Sequence, residues 1–417
     1  MSDHYVLLGA GFSRAICDEM PLLHDLSEQV FTELGLSRDA LAPFGGDLEQ
    51  WLSHLSSNQP WLTDQENLRN LATFRDASEA VHTCIVRSET VAVASPIPSW
   101  LTRLIWHWCT LNANIATYNY DVLLETSVSH LSLTRTWADL YAMPIAERRA
   151  PGDVSQYPTE QPPSSVLRLF KLHGSTNWFY GGPDAPVTDR VVMTQASGWW
   201  PGSPAEHSLP RSSGRQTNLY DDLLPLIIPP TGTKGGYYGN RSLRAQWQTA
   251  FTALKAAKSL TIIGYSFPPS DLAARHFIAS SRLAVPVAVV DRRPEVAATV
   301  EALLPSAAIS AYSGEQAIEK YVDDTCGDVV LWGVQHNAAG RRSRLQVNGI
   351  DIDLSGEVNP YDPDLPTGDP DPASTWIAQE VERKYPGATR AALRDHWPRS
   401  NDGTLWQGIY TGPRQSE

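Results

Sequence analysis

The chain has little cysteine: four residues in 417, Cys17, Cys84, Cys109 and Cys326, widely spaced and without a C-x-x-C pair. That spacing argues against a disulfide scaffold and offers no paired ligand set for structural zinc. The four read as reduced thiols, and no metal is expected. Positive charge is also in short supply. Lys and Arg number 33 against 46 Asp and Glu, a net charge of -13. The average surface therefore repels a phosphate backbone, and no direct nucleic-acid binding is expected. No apolar run approaches the roughly 18–20 residues that cross a bilayer, and no basic, apolar leader opens the sequence. Neither membrane nor secretion is expected, and the location is read as cytoplasmic. No G-x-x-x-x-G-K-[ST] loop occurs, so any ATPase working with this chain must be a separate protein.

What is present suits a folded globular protein, since 42% of residues are hydrophobic and 19% charged. Five short apolar runs without strict alternation predict buried parallel strands: YVLLG (5–9), NIATYN (114–119), LRLFKLHG (167–174), SLTIIG (259–264) and VPVAVVD (285–291). AAISAY (307–312) is a sixth candidate. Helix-like stretches separate several of them, including 241–258 and 293–304. Alternating strands and helices imply an α/β, Rossmann-like, doubly wound and mainly parallel sheet. Residues 22–111 carry helical patterning only and read as a helical insertion. The Pro-, Gly- and Ser-rich intervals 150–165 and 181–216 read as surface loops. Beyond about residue 325 the pattern changes to a hairpin on the Asn-Gly of RLQVNGIDIDLSG, an acidic Pro-rich linker (360–372) and a helical stretch (374–397). The organisation expected is a catalytic unit at 1–325 and a C-terminal appendage at 326–417, an oligomerisation or partner-binding element.

In open α/β sheets the ligand sits outside the carboxyl ends of the strands. Those ends carry Gly9-Ala10-Gly11-Phe12-Ser13, Asn119-Tyr120-Asp121, His173-Gly174-Ser175, Gly264-Tyr265-Ser266 and Asp291. Each has an ordinary reading beside a functional one. The glycine loop either cradles a pyrophosphate at a helix N-terminus or is a tight turn packing helix on strand. It lacks the third glycine, and no carboxylate ends a second strand about 20 residues on, which disfavours hydride-transfer dehydrogenases. His173 suits proton transfer near neutral pH or is a satisfied structural histidine. Asn119 and Asp121 are site residues or turn formers and helix caps. GYSFPPSD could be a Pro-rich turn, and Asp291 could cap the helix after it.

Taken in order, GAGFS, TYNYD, KLHGSTNW, IIGYSFPPSD and AVVD resemble the Sir2 family, specifically the bacterial Sir2-like branch that hydrolyses NAD in antiphage defence. The resemblance spans residues 4–312. It implies that Gly9, Ala10, Gly11 and Ser13 bind the NAD diphosphate, that Asn119 and Asp121 serve the nicotinamide and its ribose, and that His173 is the catalytic base. On the same reading Gly264, Tyr265, Ser266 and Asp291 belong to the cofactor side, with Ser266 and Asp291 placed to bond the adenosine ribose. Deacylating sirtuins follow the glycine loop with a G-I-P-D-F-R-type segment and carry C-x-x-C zinc ligands. Here SRAICDEMP follows, with Arg14 or Met20-Pro21 in that place, and the cysteine pairs are absent. The activity implied is cleavage of NAD to nicotinamide and ADP-ribose. NAD-dependent deacylation, ADP-ribosyl transfer and a catalytically silent NAD or ADP-ribose sensor are the alternatives. The resemblance also implies a homo-oligomer held inactive until triggered by a partner such as a HerA-like ATPase, an argonaute-like protein or a phage component.

Overall fold

The computed structural model describes residues 3–131, 133, 140–141, 146–149, 167–181, 191–194, 223–232, 234–327, 329–336, 342–347, 350–352 and 405–410. The chain starts with β1 (His4–Leu8) and runs through five helices: α1 (Ala10–Ile16), α2 (Leu23–Glu33), α3 (Leu48–Leu55), α4 (Asp64–Ala94) and α5 (Ser99–Thr110). It continues with β2 (Asn114–Thr117), α6 (Leu123–His130), β3 (Ala146–Arg149), β4 (Arg168–Lys171), β5 (Gly174–Tyr180), β6 (Val191–Thr194) and β7 (Leu224–Ile227). A regular alternation follows: α7 (Arg241–Ala256), β8 (Ser259–Ile263), α8 (Leu272–Ser281), β9 (Pro286–Asp291), α9 (Glu295–Leu303), β10 (Ala308–Ser313) and α10 (Ala317–Thr325). Four more strands close the described chain: β11 (Val329–His336), β12 (Arg342–Val347), β13 (Ile350–Ile352) and β14 (Leu405–Tyr410).

Six strands form one all-parallel sheet in the order β10-β9-β8-β1-β2-β4. The fold is an α/β, Rossmann-like, doubly wound sheet, and the run at 307–312 is its edge strand β10. Counted along the chain, the strand order is 6-5-4-1-2-3, so the winding reverses between β1 and β8. Side chains alternate across the sheet with the period of two that a strand imposes. Val6, Leu8, Ile115 and Leu169 enter a core with α2–α5 and α10. Tyr5, Leu7, Ala116 and Phe170 enter the opposite core with α7, α8 and α9. Burial on both faces explains why the strand sequences read as continuous apolar runs rather than alternating ones.

The register brings the strand ends to one level. Leu8 stands beside Thr117 on one side and Ile263 on the other, with Thr117 beside Lys171 and Ile263 beside Val290. The carboxyl ends of five strands therefore stand at a common height.

Residues 22–111 form helices only, among them α4, whose N-terminus carries a reciprocal Thr63–Glu66 capping box. Beside the parallel sheet stand one sheet that was not foreseen and one that extends the hairpin expected at Asn348-Gly349. The run at 167–174 leaves the parallel sheet after Lys171, and Gly174, at φ +84°, turns the chain into β5. There β5 joins a second sheet ordered β3-β6-β5-β7, with β6 inside the interval read as loop. The last four strands make an antiparallel sheet, β13-β12-β11-β14. In it Val347 pairs with Ile350, as the Asn-Gly hairpin predicts. The acidic linker and the helical stretch at 374–397 lie outside the described residues. Among the described residues no helix is long and apolar enough to cross a membrane.

Candidate functional site

At the reversal point the β1 loop and the β8 loop meet in close contact, with the Tyr265 side chain against Gly9. Gly9 N–H donates to the Ile263 carbonyl at 3.0 Å and Gly11 N–H to the Gly264 carbonyl at 2.9 Å. A Cβ on Gly9 would stand 2.6 Å from the Gly264 oxygen, one on Gly11 2.8 Å from the Gly264 Cα, and one on Gly264 2.3 Å from the Phe12 nitrogen. Gly264 also has φ +63°. The three glycines are thus required by close backbone approach. The N–H groups of Gly9 and Gly11 are both taken by carbonyls at the end of β8 and the start of its loop. Phe12 is buried and packs edge-on to Trp100 at 6.0 Å, while Ala10, the first residue of α1, is exposed.

The β2 loop is tied to the same seam. Asn119 Nδ2 donates to the Gly9 carbonyl and to Ser13 Oγ, each at 2.9 Å, and Ser13 Oγ donates to Asp121 Oδ2 at 2.7 Å. Asp121 Oδ1 accepts from Leu123 N–H at 3.2 Å, so Asp121 holds the start of α6 as well. Burial pushes Asp121 up to about 6, against the pull of the Lys171 ammonium and the Ser13 hydrogen bond, with Glu89 and Glu125 adding to the rise. Beneath the turn, fully buried Lys171 donates to the Asp121 and Tyr120 carbonyls and faces Glu125 Oε1 at 3.3 Å.

His173, just past β4, is 5% exposed, and its ring lies 4.8 Å from that of Tyr118, which stacks on Tyr265 at 4.5 Å. His173 Nε2 is buried and has no hydrogen-bond partner among the described residues. Asp271 Oδ2 lies 3.7 Å from it. Asp271 in turn accepts from Lys234 Nζ at 2.8 Å, from the Tyr265 hydroxyl at 2.8 Å and from Ala274 N–H at 3.4 Å. Burial, helped by Lys234 and opposed by Asp271, brings His173 down to about 3. Burial alone would raise Asp271, but His173, Lys234 and the bonds from Lys234 and Tyr265 together hold it below the usual carboxylate value. At neutral pH His173 is uncharged, so Lys234 is the cation that matters most for Asp271.

A helix of the insertion covers these loops. Glu49 of α3 accepts from Ser270 Oγ at 2.7 Å, and Ser53 bonds Thr231 Oγ1 at 3.2 Å and Gly232 N–H at 2.8 Å. Glu49 is itself raised, by burial first.

The structure therefore brings together Gly9, Gly11, Ser13, Asn119, Asp121, Gly264 and Tyr265, with His173 joined through the Tyr118–Tyr265 stack. Ser266 is half-buried on the β8 loop. Asp291 ends β9 beside the β8 loop, where its Oδ1 accepts from Arg293 N–H at 2.9 Å; it does not cap the following helix, whose N-cap is Pro294. Asp271, Lys234 and Glu49 escaped the strand-end argument. Asp271 ends the GYSFPPSD stretch as the N-cap of α8, eight residues past β8. Lys234 lies in TGTKGG, where only the glycines signalled a special backbone.

Among the described residues no group of three or more His, Cys, Asp or Glu could hold a metal ion. Fold and site define a class: a Rossmann-like α/β protein with a buried polar site at its reversal point. Comparison with protein-family models finds no match, and comparison with curated proteins finds none.

Proposed function

We propose that the protein is an NAD hydrolase that cleaves the nicotinamide–ribose bond and releases nicotinamide and ADP-ribose. The observation that carries this reading is positional. At the reversal point, where doubly wound sheets bind dinucleotides, Asn119 bridges the β1 glycine loop and Ser13, one strand from His173, whose Nε2 is unpartnered among the described residues. Nicotinamide leaves as a neutral ring by taking the bonding pair, so the reaction needs little acid. Water adds at the ribose C1′ and loses a proton. The protein's task is to orient the ribose and stabilise its developing positive charge.

Held down to about 3, His173 is a weak proton carrier at neutral pH but a competent hydrogen-bond acceptor for a hydroxyl. Its role is therefore to polarise a ribose hydroxyl, while Asn119 fixes the ribose or the attacking water. Ala10, exposed at the N-terminus of α1, remains for the diphosphate side. Hydrolysis is favoured over deacylation because Asn119, His173 and Asp271 are nearly enclosed, which suits water better than an extended peptide. The antiphage role, a homo-oligomeric state and activation by a partner belong to the same proposal and rest on the resemblance.

Incubation of the purified protein with NAD, followed by chromatographic identification of products, tests it. Free nicotinamide and ADP-ribose are expected. Acyl-ADP-ribose formed only with an acylated peptide, a modified protein, or binding without turnover would replace the reading.

A further inference from the structure

We propose that Asp271 is a substrate-binding residue: with His173 it forms a two-acceptor site that takes the two adjacent hydroxyls of a ribose. The inference rests on the NAD reading and extends it to Asp271, the last residue of the IIGYSFPPSD stretch, to which that reading gave no role.

Four observations converge on it. First, His173 Nε2 and Asp271 Oδ2 are 3.7 Å apart. That is too long for a hydrogen bond between them, since such bonds run at about 2.7–3.2 Å. It is short enough for two neighbouring hydroxyl oxygens to serve one acceptor each. Second, Nε2 is buried with no partner among the described residues. A buried unmatched polar atom costs free energy, which a ligand hydroxyl would recover. In the tautomer protonated at Nδ1, Nε2 is an acceptor and requires a donor such as O–H. Third, Asp271 is presented as a fixed anion. Lys234 Nζ and Ala274 N–H hold Oδ1, and the Tyr265 hydroxyl binds Oδ2, leaving Oδ2 room to accept once more. Fourth, the two are wrapped by ring faces, Tyr118 against both Tyr265 and His173, with Trp247 6.3 Å from the His173 ring. Such walls suit a compact sugar ring with polar groups on one edge.

Charge agrees with geometry. An ionised carboxylate near the ribose stabilises an oxocarbenium-like centre, and Lys234 on the far oxygen keeps the carboxylate ionised without standing between it and the sugar. A purely structural Asp271 would cap α8 and neutralise Lys234, and neither task reads a ribose hydroxyl. Asn and Ser cap as well as Asp, so Asp271→Asn and Asp271→Ser separate the two roles and guard against a folding artefact in either variant.

The experiment measures kcat/KM of the full chain for NAD and for NAD analogues lacking the 2′- or the 3′-hydroxyl of the nicotinamide ribose, in the parent and in both variants, with thermal melts alongside. The parent should reject at least one deoxy analogue by about 10²-fold, the scale of a lost hydrogen bond to a charged group in an enclosed site. Asp271→Asn and Asp271→Ser should melt below the parent, because each leaves Lys234 without its buried carboxylate, yet stay folded at the assay temperature, lose about ten- to a hundredfold on NAD, and discriminate against that analogue much less. Unchanged discrimination in either folded variant overturns the inference while leaving NAD hydrolysis standing. A parent that neither binds nor turns over NAD overturns the reading itself and the inference with it.

Discussion

Asn119 uses both hydrogens of its amide on the protein, on Gly9 and Ser13, so its oxygen is the part left for a ligand or water. Asn119→Ala should lower NAD turnover by about 10²-fold, the scale of a lost preorganised contact, and should affect affinity less, as separate kcat and KM values will show. Asp121 sets the pH behaviour. Above about 6 it is a carboxylate that accepts from Ser13; once protonated it competes as a donor, and the Ser13–Asn119 link weakens. The kcat/KM profile should therefore fall with an apparent pKa near 6 rather than follow His173, which stays neutral down to about 3. Asp121→Asn, whose amide oxygen still accepts from Ser13, should keep its rate below pH 6. At this scale the sequence exposed the strand-end residues, because short apolar runs stop where the chemistry starts. It hid Lys234 and Asp271, which belong to a connection and a helix cap and converge on His173 only in three dimensions.

The element that positions Asn119 is the turn between β2 and α6, and its support is one buried cation. Lys171 reaches from β4 to the Tyr120 and Asp121 carbonyls and to Glu125, which also accepts from the Tyr141 hydroxyl at 2.6 Å. Lys171→Met leaves Glu125 without that charge in the interior and should cost about 3–5 kcal/mol, measured by denaturant unfolding. Lys171→Met with Glu125→Leu should regain most of that stability and still turn over NAD slowly, because the turn carbonyls lose their anchor. Lys171 was legible only as the first letter of KLHGSTNW, inside an apolar run, where its burial gives no local signal. The parallel strands were legible because both their faces are covered. Strand β5 was not: GSTNWFY is wholly buried yet begins with the polar residues that ordinarily mark a turn.

On the scale of the whole molecule, acid stability is governed by histidines at both ends of the sheet. His4 and His107, near the amino ends of the strands, are lowered to about 4 by burial, His4 further by His107, and His173 at the carboxyl ends to about 3. The unfolded chain takes up these protons near pH 6.5 and the folded chain only below 4, so stability should fall as pH drops from about 6.5 to 4. Asp121 slopes the other way, since its raised value favours the folded state while it is protonated and the gain fades as pH rises from about 4 to 6. Three histidines, with the lowered Asp271 on their side, outweigh the raised Asp121 and Glu49, and thermal melts across pH 7 to 4 will read the sign. The helical insertion and the alternation of strands with helices followed from periodicity along the chain, whereas the pairing of β14 with β11 links segments some 70 residues apart and leaves no local trace. The two halves of the winding touch at Gly9, Gly11 and Gly264, and the atoms that would block a side chain there include main-chain atoms at each position. No substitution elsewhere can remove them. A selection for suppressors of Gly11→Ala or Gly264→Ala should therefore return true revertants and no second-site partners, which makes this seam a fixed datum against which the rest of the sequence can drift.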